Sequence, residues 1–168
     1  MLIYYLSGYC KVIKPARARN IFNVSHLESK KRNKILSKSE IVFEGNSSII
    51  PPFFYEFGRI KIHDNVYINA GCIFLDNNNI SIGCNTLIGP NVTLTSVTHP
   101  VDPAFRNTDI ISSPIVIGDN VWIGAGVVVL PGVQIGRNSV IAANSVVKSD
   151  VPENVLFAGC PAVFKRNL

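Results

Sequence analysis

The feature that most constrains this chain is a period of six. Apolar residues recur at Ile62, Ile68 and Phe74, resume at Ile82, Ile88 and Leu94, and return at Ile117, Ile123, Val129, Ile135, Ile141 and Val147. Two residues ahead of each stands another apolar or small residue: Ile60, Val66, Cys72, Ile80, Thr86, Val92, Ile115, Val121, Val127, Val133, Ser139 and Ser145. This period excludes an amphipathic helix, whose apolar face follows 3.6 residues per turn. On a strand, residues two apart share a face, so each hexapeptide predicts a short strand with two inward side chains. Between the strands lie Gly83-Cys84-Asn85, Gly89-Pro90-Asn91, Gly118-Asp119-Asn120, Pro131-Gly132 and Gly136-Arg137-Asn138. Gly and Asn tolerate the positive φ that a sharp corner every six residues demands. The expected fold is all-β, a parallel β-helix in which each coil buries its apolar edges on its neighbours.

Two breaks interrupt the register. Asn77-Asn78-Asn79 adds two residues at one corner, and after Leu94 the next register position waits until Ile117. About seventeen residues centred on Thr98-His99-Pro100-Val101-Asp102-Pro103 therefore leave the coil, an insertion of a length expected to carry function. The predicted division is an N-terminal basic segment, 1–50, packed on the coil, a β-helix over 51–152 with its loop at 95–114, and a C-terminal tail over 153–168.

With 168 residues, 47% hydrophobic and 16% charged, the chain can bury one sizeable core. The net charge of +5 is uneven, because residues 1–40 hold nine Lys/Arg against Glu28 and Glu40. Lys30, Lys31, Arg32, Lys34 and Lys38 fall on a stretch, Ser25 to Lys38, with the makings of a short helix. It reads either as a solvated face or as a weak contact, through residues 1–40, with an anionic acceptor or a membrane surface. Nucleic acid is not an expected partner. The apolar run Met1 to Cys10 is too short to cross a bilayer and no basic region precedes it, so a cytoplasmic protein is expected. Cys10, Cys72, Cys84 and Cys160 form no C-x-x-C pair and have no histidine at ligand spacing, which predicts reduced, mostly buried thiols and no metal.

From Pro51 to Arg166 the chain resembles the maltose, galactoside and nodulation-factor O-acetyltransferases. The resemblance rests on Pro52-Phe53 with Tyr55 and Gly58, on Tyr67-Ile68-Asn69, on Ile88 to Leu94 leading to Thr98-His99-Pro100, on Ile117-Gly118-Asp119-Asn120-Val121-Trp122-Ile123-Gly124, and on Ala158-Gly159-Cys160-Pro161-Ala162. It implies a left-handed β-helix, a homotrimer, acetyl-coenzyme A as co-substrate, and active sites between neighbouring prisms. Apolar residues at outward strand positions, among them Tyr67, Ile73, Leu87 and Trp122, independently favour association.

The implied reaction moves an acetyl group to a hydroxyl of a sugar or polysaccharide precursor, which needs a base for the hydroxyl proton and donors for the oxyanion. Of the three histidines only His99 lies on the large loop, and the resemblance makes it the general base. Asp102, near in sequence, and Asp76, near in the matched acceptor region, are candidates to orient it, and neither is assigned. Ala125 matches the oxyanion position, where only its backbone N–H is available. Tyr67, Asn69 and Asp76 match acceptor positions, while Trp122, Ala125, Ala143, Lys148, Lys165 and Arg166 match or flank coenzyme A positions. The sequence also departs from the family: the loop is one residue shorter than usual, and Asn77 and Lys148-Ser149 replace the customary residues. Among alternatives, a γ-class carbonic anhydrase needs two further histidines, an N-acetyltransferase acting on an amino or nucleotide sugar shares fold and base, and a non-catalytic β-helix leaves the loop unexplained.

Overall fold

The computed structural model describes residues 11–168, so the apolar run at 1–10 and Cys10 lie outside the described residues. The hexapeptides form a three-sided parallel β-solenoid. The first side stacks β1 (Val42–Phe43), β4 (Ile60–Ile62), β7 (Ile80–Ile82), β12 (Ile115–Ile117) and β15 (Gln134–Ile135). The second stacks β2 (Ser48–Ile49), β5 (Tyr67–Ile68), β8 (Leu87–Ile88), β13 (Trp122–Ile123), β16 (Val140–Ile141) and β18 (Val155–Gly159), with β19 (Ala162–Asn167) antiparallel at its edge. The third stacks β3 (Phe53–Tyr55), β6 (Cys72–Leu75), β9 (Thr93–Thr95), β14 (Val128–Val129) and β17 (Val146–Val147).

Pair offsets follow the sequence period. Val116 pairs with Gln134, Trp122 with Val140 and Val128 with Val146, each eighteen residues on, so three hexapeptides make a coil. Across the Asn77–Asn79 corner the offset is twenty, as from Tyr67 to Leu87. All twenty-four inward positions named above are buried, none more than 2% exposed. The buried hydroxyls among them are satisfied: Thr86 donates to Gly118 O at 2.9 Å and Ser139 to Pro152 O at 2.7 Å. At one corner Asn65, Asn85, Asn120, Asn138 and Asn154 all take φ between 54° and 60°. Their amides bond from coil to coil, Asn65 to Asn85, Asn120 to Asn138 and Asn138 to Asn154, at 2.8 to 3.0 Å.

The boundaries differ from expectation at both ends. The coil begins at Val42 rather than 51, because β1 and β2 already pair with β4 and β5. Val151 bridges Ile135, and β18 stacks on β16, so the stretch 153–168 continues the coil and closes it with a hairpin. The N-terminal segment forms two helices, α1 (Pro15–Val24) and α2 (Ser29–Ser37). They cap the first coil: Phe22 sits edge-on to Phe53 at 6.3 Å, and Asn23 exchanges hydrogen bonds with the backbone of Phe53. Arg19 donates to Tyr55 O while its guanidinium lies 4.2 Å from the Phe54 ring centre.

The cysteines also depart from expectation. Of the three described, all free, Cys72 is buried, Cys84 half-buried and Cys160 exposed, the last because it sits at the tip of the β18–β19 hairpin. Burial pushes the Cys72 thiol up to about 11. Among the described residues no helix is long and apolar enough to cross a membrane.

Candidate active site

The second side carries one unbroken outward column. Register pairs join Ser48 to Tyr67, Tyr67 to Leu87, Leu87 to Trp122, Trp122 to Val140, Val140 to Leu156 and Leu156 to Arg166. From Tyr67 onward this column floors a groove of about 830 Å³, whose rim is the corner between the second and third sides: Asn69, Gly89-Pro90, Gly124-Ala125 and Ala142-Ala143. Trp122 is 56% exposed and Leu87 50%, a large apolar surface to leave in water. Arg166 and Leu168 close the end nearest the last coil.

Six of the expected site residues meet here: Tyr67, Asn69, Trp122, Ala125, Ala143 and Arg166. Ala125 and Ala143 stand one coil apart, about 4.8 Å by strand spacing. Neither of their N–H groups has an intrachain acceptor among the described residues, so two donors point along the rim. Gly89 is needed for this, since a Cβ there would lie 2.7 Å from Ala125 N. Asn69 spends its Oδ1 on Ala70 N and leaves its amide NH₂ for the groove. Sequence reasoning missed Pro90, Val140, Leu156 and Leu168, although counting eighteen residues on from Trp122 finds Val140.

The other expected residues fall elsewhere. Asp76 is a correction: it is fully buried, and its carboxylate accepts from the backbone N–H groups of Glu56, Phe57, Gly58 and Arg59 at 2.6 to 3.3 Å. It ties a turn of one coil to the next and has no face left for a sugar hydroxyl or for His99. Lys148 is exposed on the corner between the third and first sides, and Lys165 is exposed beside Arg166; neither lines the groove.

The inserted loop leaves that same third-to-first corner as a ribbon, β10 (Val97–Thr98) antiparallel to β11 (Ile111–Ser112). His99 follows β10 and is exposed, with its Nδ1 3.0 Å from Arg106 O. A carbonyl only accepts, so a neutral imidazole in this contact carries its proton on Nδ1 and presents the Nε2 lone pair outward. Its Nδ1 partner is this carbonyl and not Asp102, whose Oδ1 accepts from Ala104 N at 2.9 Å. Val101, Phe105, Ile110 and Ile111 make the ribbon exposed and apolar. The whole third side separates His99 from the groove of its own chain. Among the described residues no group of His, Cys, Asp and Glu is arranged to hold a metal.

Residues 114–149 match the family described as bacterial transferase hexapeptide (six repeats). The chain is 44% identical over 150 residues to a galactoside O-acetyltransferase of Escherichia coli, covering 88% of this chain and 74% of that enzyme. The chain belongs to the hexapeptide-repeat acetyltransferases. A galactoside O-acetyltransferase of Lactococcus lactis is 43% identical over 126 residues, and this acetyltransferase matches 61% of its length, with 73% of its own chain covered. Among solved structures, a hexapeptide-repeat acetyltransferase of Vibrio cholerae complexed with acetyl-coenzyme A superposes with a TM-score of 0.87 at 40% identity, covering 92% of this chain and 85% of the other.

Proposed function

We propose that this acetyltransferase moves an acetyl group from acetyl-coenzyme A to a hydroxyl of a sugar or sugar polymer, with His99 as general base. The observation that carries this reading is the groove itself, apolar along its floor and lined at its rim by the free N–H groups of Ala125 and Ala143. Coenzyme A fits there with its acyl arm along the rim, its apolar stretch against Trp122, and its nucleotide phosphates towards Arg166, with Lys165 beside it and Lys148 on the facing corner of another copy. Relatives named for galactoside O-acetylation and for a complex with acetyl-coenzyme A support the same assignment.

The working site is completed by a second copy of the chain. Within one chain His99 cannot reach the groove, while its apolar ribbon and the exposed Tyr67, Leu87 and Trp122 both need cover. A homotrimer in which each ribbon seats on the next groove satisfies both. Tyr67 and Asn69 then face the acceptor. His99 Nε2 takes the hydroxyl proton as the acceptor oxygen attacks the thioester carbonyl, and the oxyanion that forms meets the Ala125 N–H. Collapse breaks the carbon–sulfur bond, and the proton held by His99 passes to the departing thiolate, giving ester and free thiol. Arg106 O steadies the imidazole as it becomes charged.

The test is thiol release from acetyl-coenzyme A with neutral galactosides, maltose and an amino sugar as acceptors. An alkali-labile ester on a hydroxyl acceptor is expected. Alkali-stable amide products alone, or no release above background hydrolysis, would overturn the reading.

A further inference from the structure

The column that floors the groove does not stop at Tyr67. Its next member, Ser48, belongs to a second cavity of about 470 Å³ between α2 and the first coil. Ser29, Ser37, Ser47, Ser48, Asn33 and Asn46 line this cleft, with the half-buried ring of Phe43 at one side and the Ser47 hydroxyl spent on His63 O and Val66 N. Lys30 and Lys34, one turn apart on α2, reach it from the solvent side. Neither ammonium has a carboxylate within ion-pair distance among the described residues. Of the acids beside the cleft, Glu44 is engaged by Lys61 and His63, and Asp64 by Asn46 N.

Two polar atoms in this wall have no partner although they are buried, Ser29 Oγ and Asn33 Oδ1. Asn33 is fixed in place, because its NH₂ donates to Ser47 O at 2.7 Å, and its carbonyl oxygen is left buried and unpaired in the cleft wall. Buried polar atoms ordinarily find partners. A hydroxylated ligand supplies them, an aromatic ring suits the C–H face of a sugar ring, and two unpaired cations ask for an anion.

We infer that this cleft is a second saccharide subsite, taking an anionic sugar unit of an extended acceptor whose reacting unit lies in the groove at Tyr67 and Asn69. The inference rests on the acyl-transfer reading for its direction, since the groove holds the acyl donor towards Arg166 and the cleft continues the same face the other way. Ser48 and Tyr67 are strand neighbours, about 4.8 Å apart, so one oligosaccharide spans both.

The experiment is calorimetric titration of the full chain with trigalacturonate and with neutral galactotriose. The wild type should bind the charged trisaccharide more tightly, and salt should weaken it. The Lys30→Ala/Lys34→Ala double variant should lose about tenfold in affinity for trigalacturonate, the scale of lost charge-assisted hydrogen bonds. Lys31→Ala, an exposed cation on the same helix outside the cleft, should lose less than about twofold. Equal affinity of the wild type for both trisaccharides, binding of neither, or an undiminished double variant would overturn the inference. So would an equal loss in Lys31→Ala, which marks a diffuse basic field suited to an anionic surface. Acetyl transfer by the wild type to a neutral galactoside is measured alongside. If that alone fails, the acyl-transfer reading falls while binding in the cleft is still read directly.

Discussion

At the scale of single residues, Asp76 shows how a polar residue can be mistaken for a site. In sequence it is an acid beside an irregular corner. In the fold its two oxygens hold four backbone N–H groups of the preceding coil, a contact across about twenty residues that no local pattern reveals. Asp76→Ala strands those donors and should lower unfolding free energy by about 3 kcal/mol in urea titration. Unchanged stability with a raised acceptor KM would return Asp76 to the acceptor site. Tyr55 gives a prediction in pH. Its phenol is buried against Ser39 Oγ at 2.6 Å, and burial pushes it up to about 12 from an ordinary 10. The folded state therefore holds this proton more tightly than the unfolded chain. The resulting stability is complete below pH 10 and is lost as pH rises from 10 towards 12, on the order of 3 kcal/mol. Tyr55→Phe should be less stable at neutral pH and flatter through that alkaline window; parallel curves for the two proteins would contradict this.

At the scale of elements, the inward strand positions were legible because burial imposes a period of two on every strand and a period of six on the coil. The first coil was not legible. Its offset to the second is nineteen, and Ser48 occupies a position where later coils carry apolar or aromatic residues. Helix α1 had a signal in Pro15 at its first position, which went unused. Ser29 to Ser37 lies inside the expected helical stretch, but its role as a cap depends on packing against β1 and β2, with the Asn33 amide on Ser47 O, that only the fold supplies. Deleting residues 1–40 should destabilise the β-helix, because solenoid ends need capping and the deletion would expose Phe53 and Tyr55. The truncated chain should melt at least several degrees lower and aggregate, measured by scanning calorimetry and light scattering; an unchanged melting temperature would make the helices an appendage.

At the scale of the whole molecule, the candidate site was half legible. Trp122, Ala125, Ala143 and Arg166 could be placed because they stand at positions of the family the chain resembles, whereas the carbonyl that holds His99 comes from a loop whose path has no period. The proposed mechanism depends on assembly, because His99 is separated from the groove of its own chain. Sedimentation equilibrium should find three chains at micromolar concentration, and a monomer would leave the groove without a base. The central claim is that His99 takes the acceptor's proton, and its most direct measurement is kcat of His99→Ala at saturating acetyl-coenzyme A. An exposed loop side chain contributes little to the stacked core, so the variant should fold, assemble and bind coenzyme A as the wild type does. Its kcat should fall by about 10²- to 10⁴-fold. A variant keeping more than about a third of the wild-type kcat, far outside the range for loss of a general base, would contradict the account.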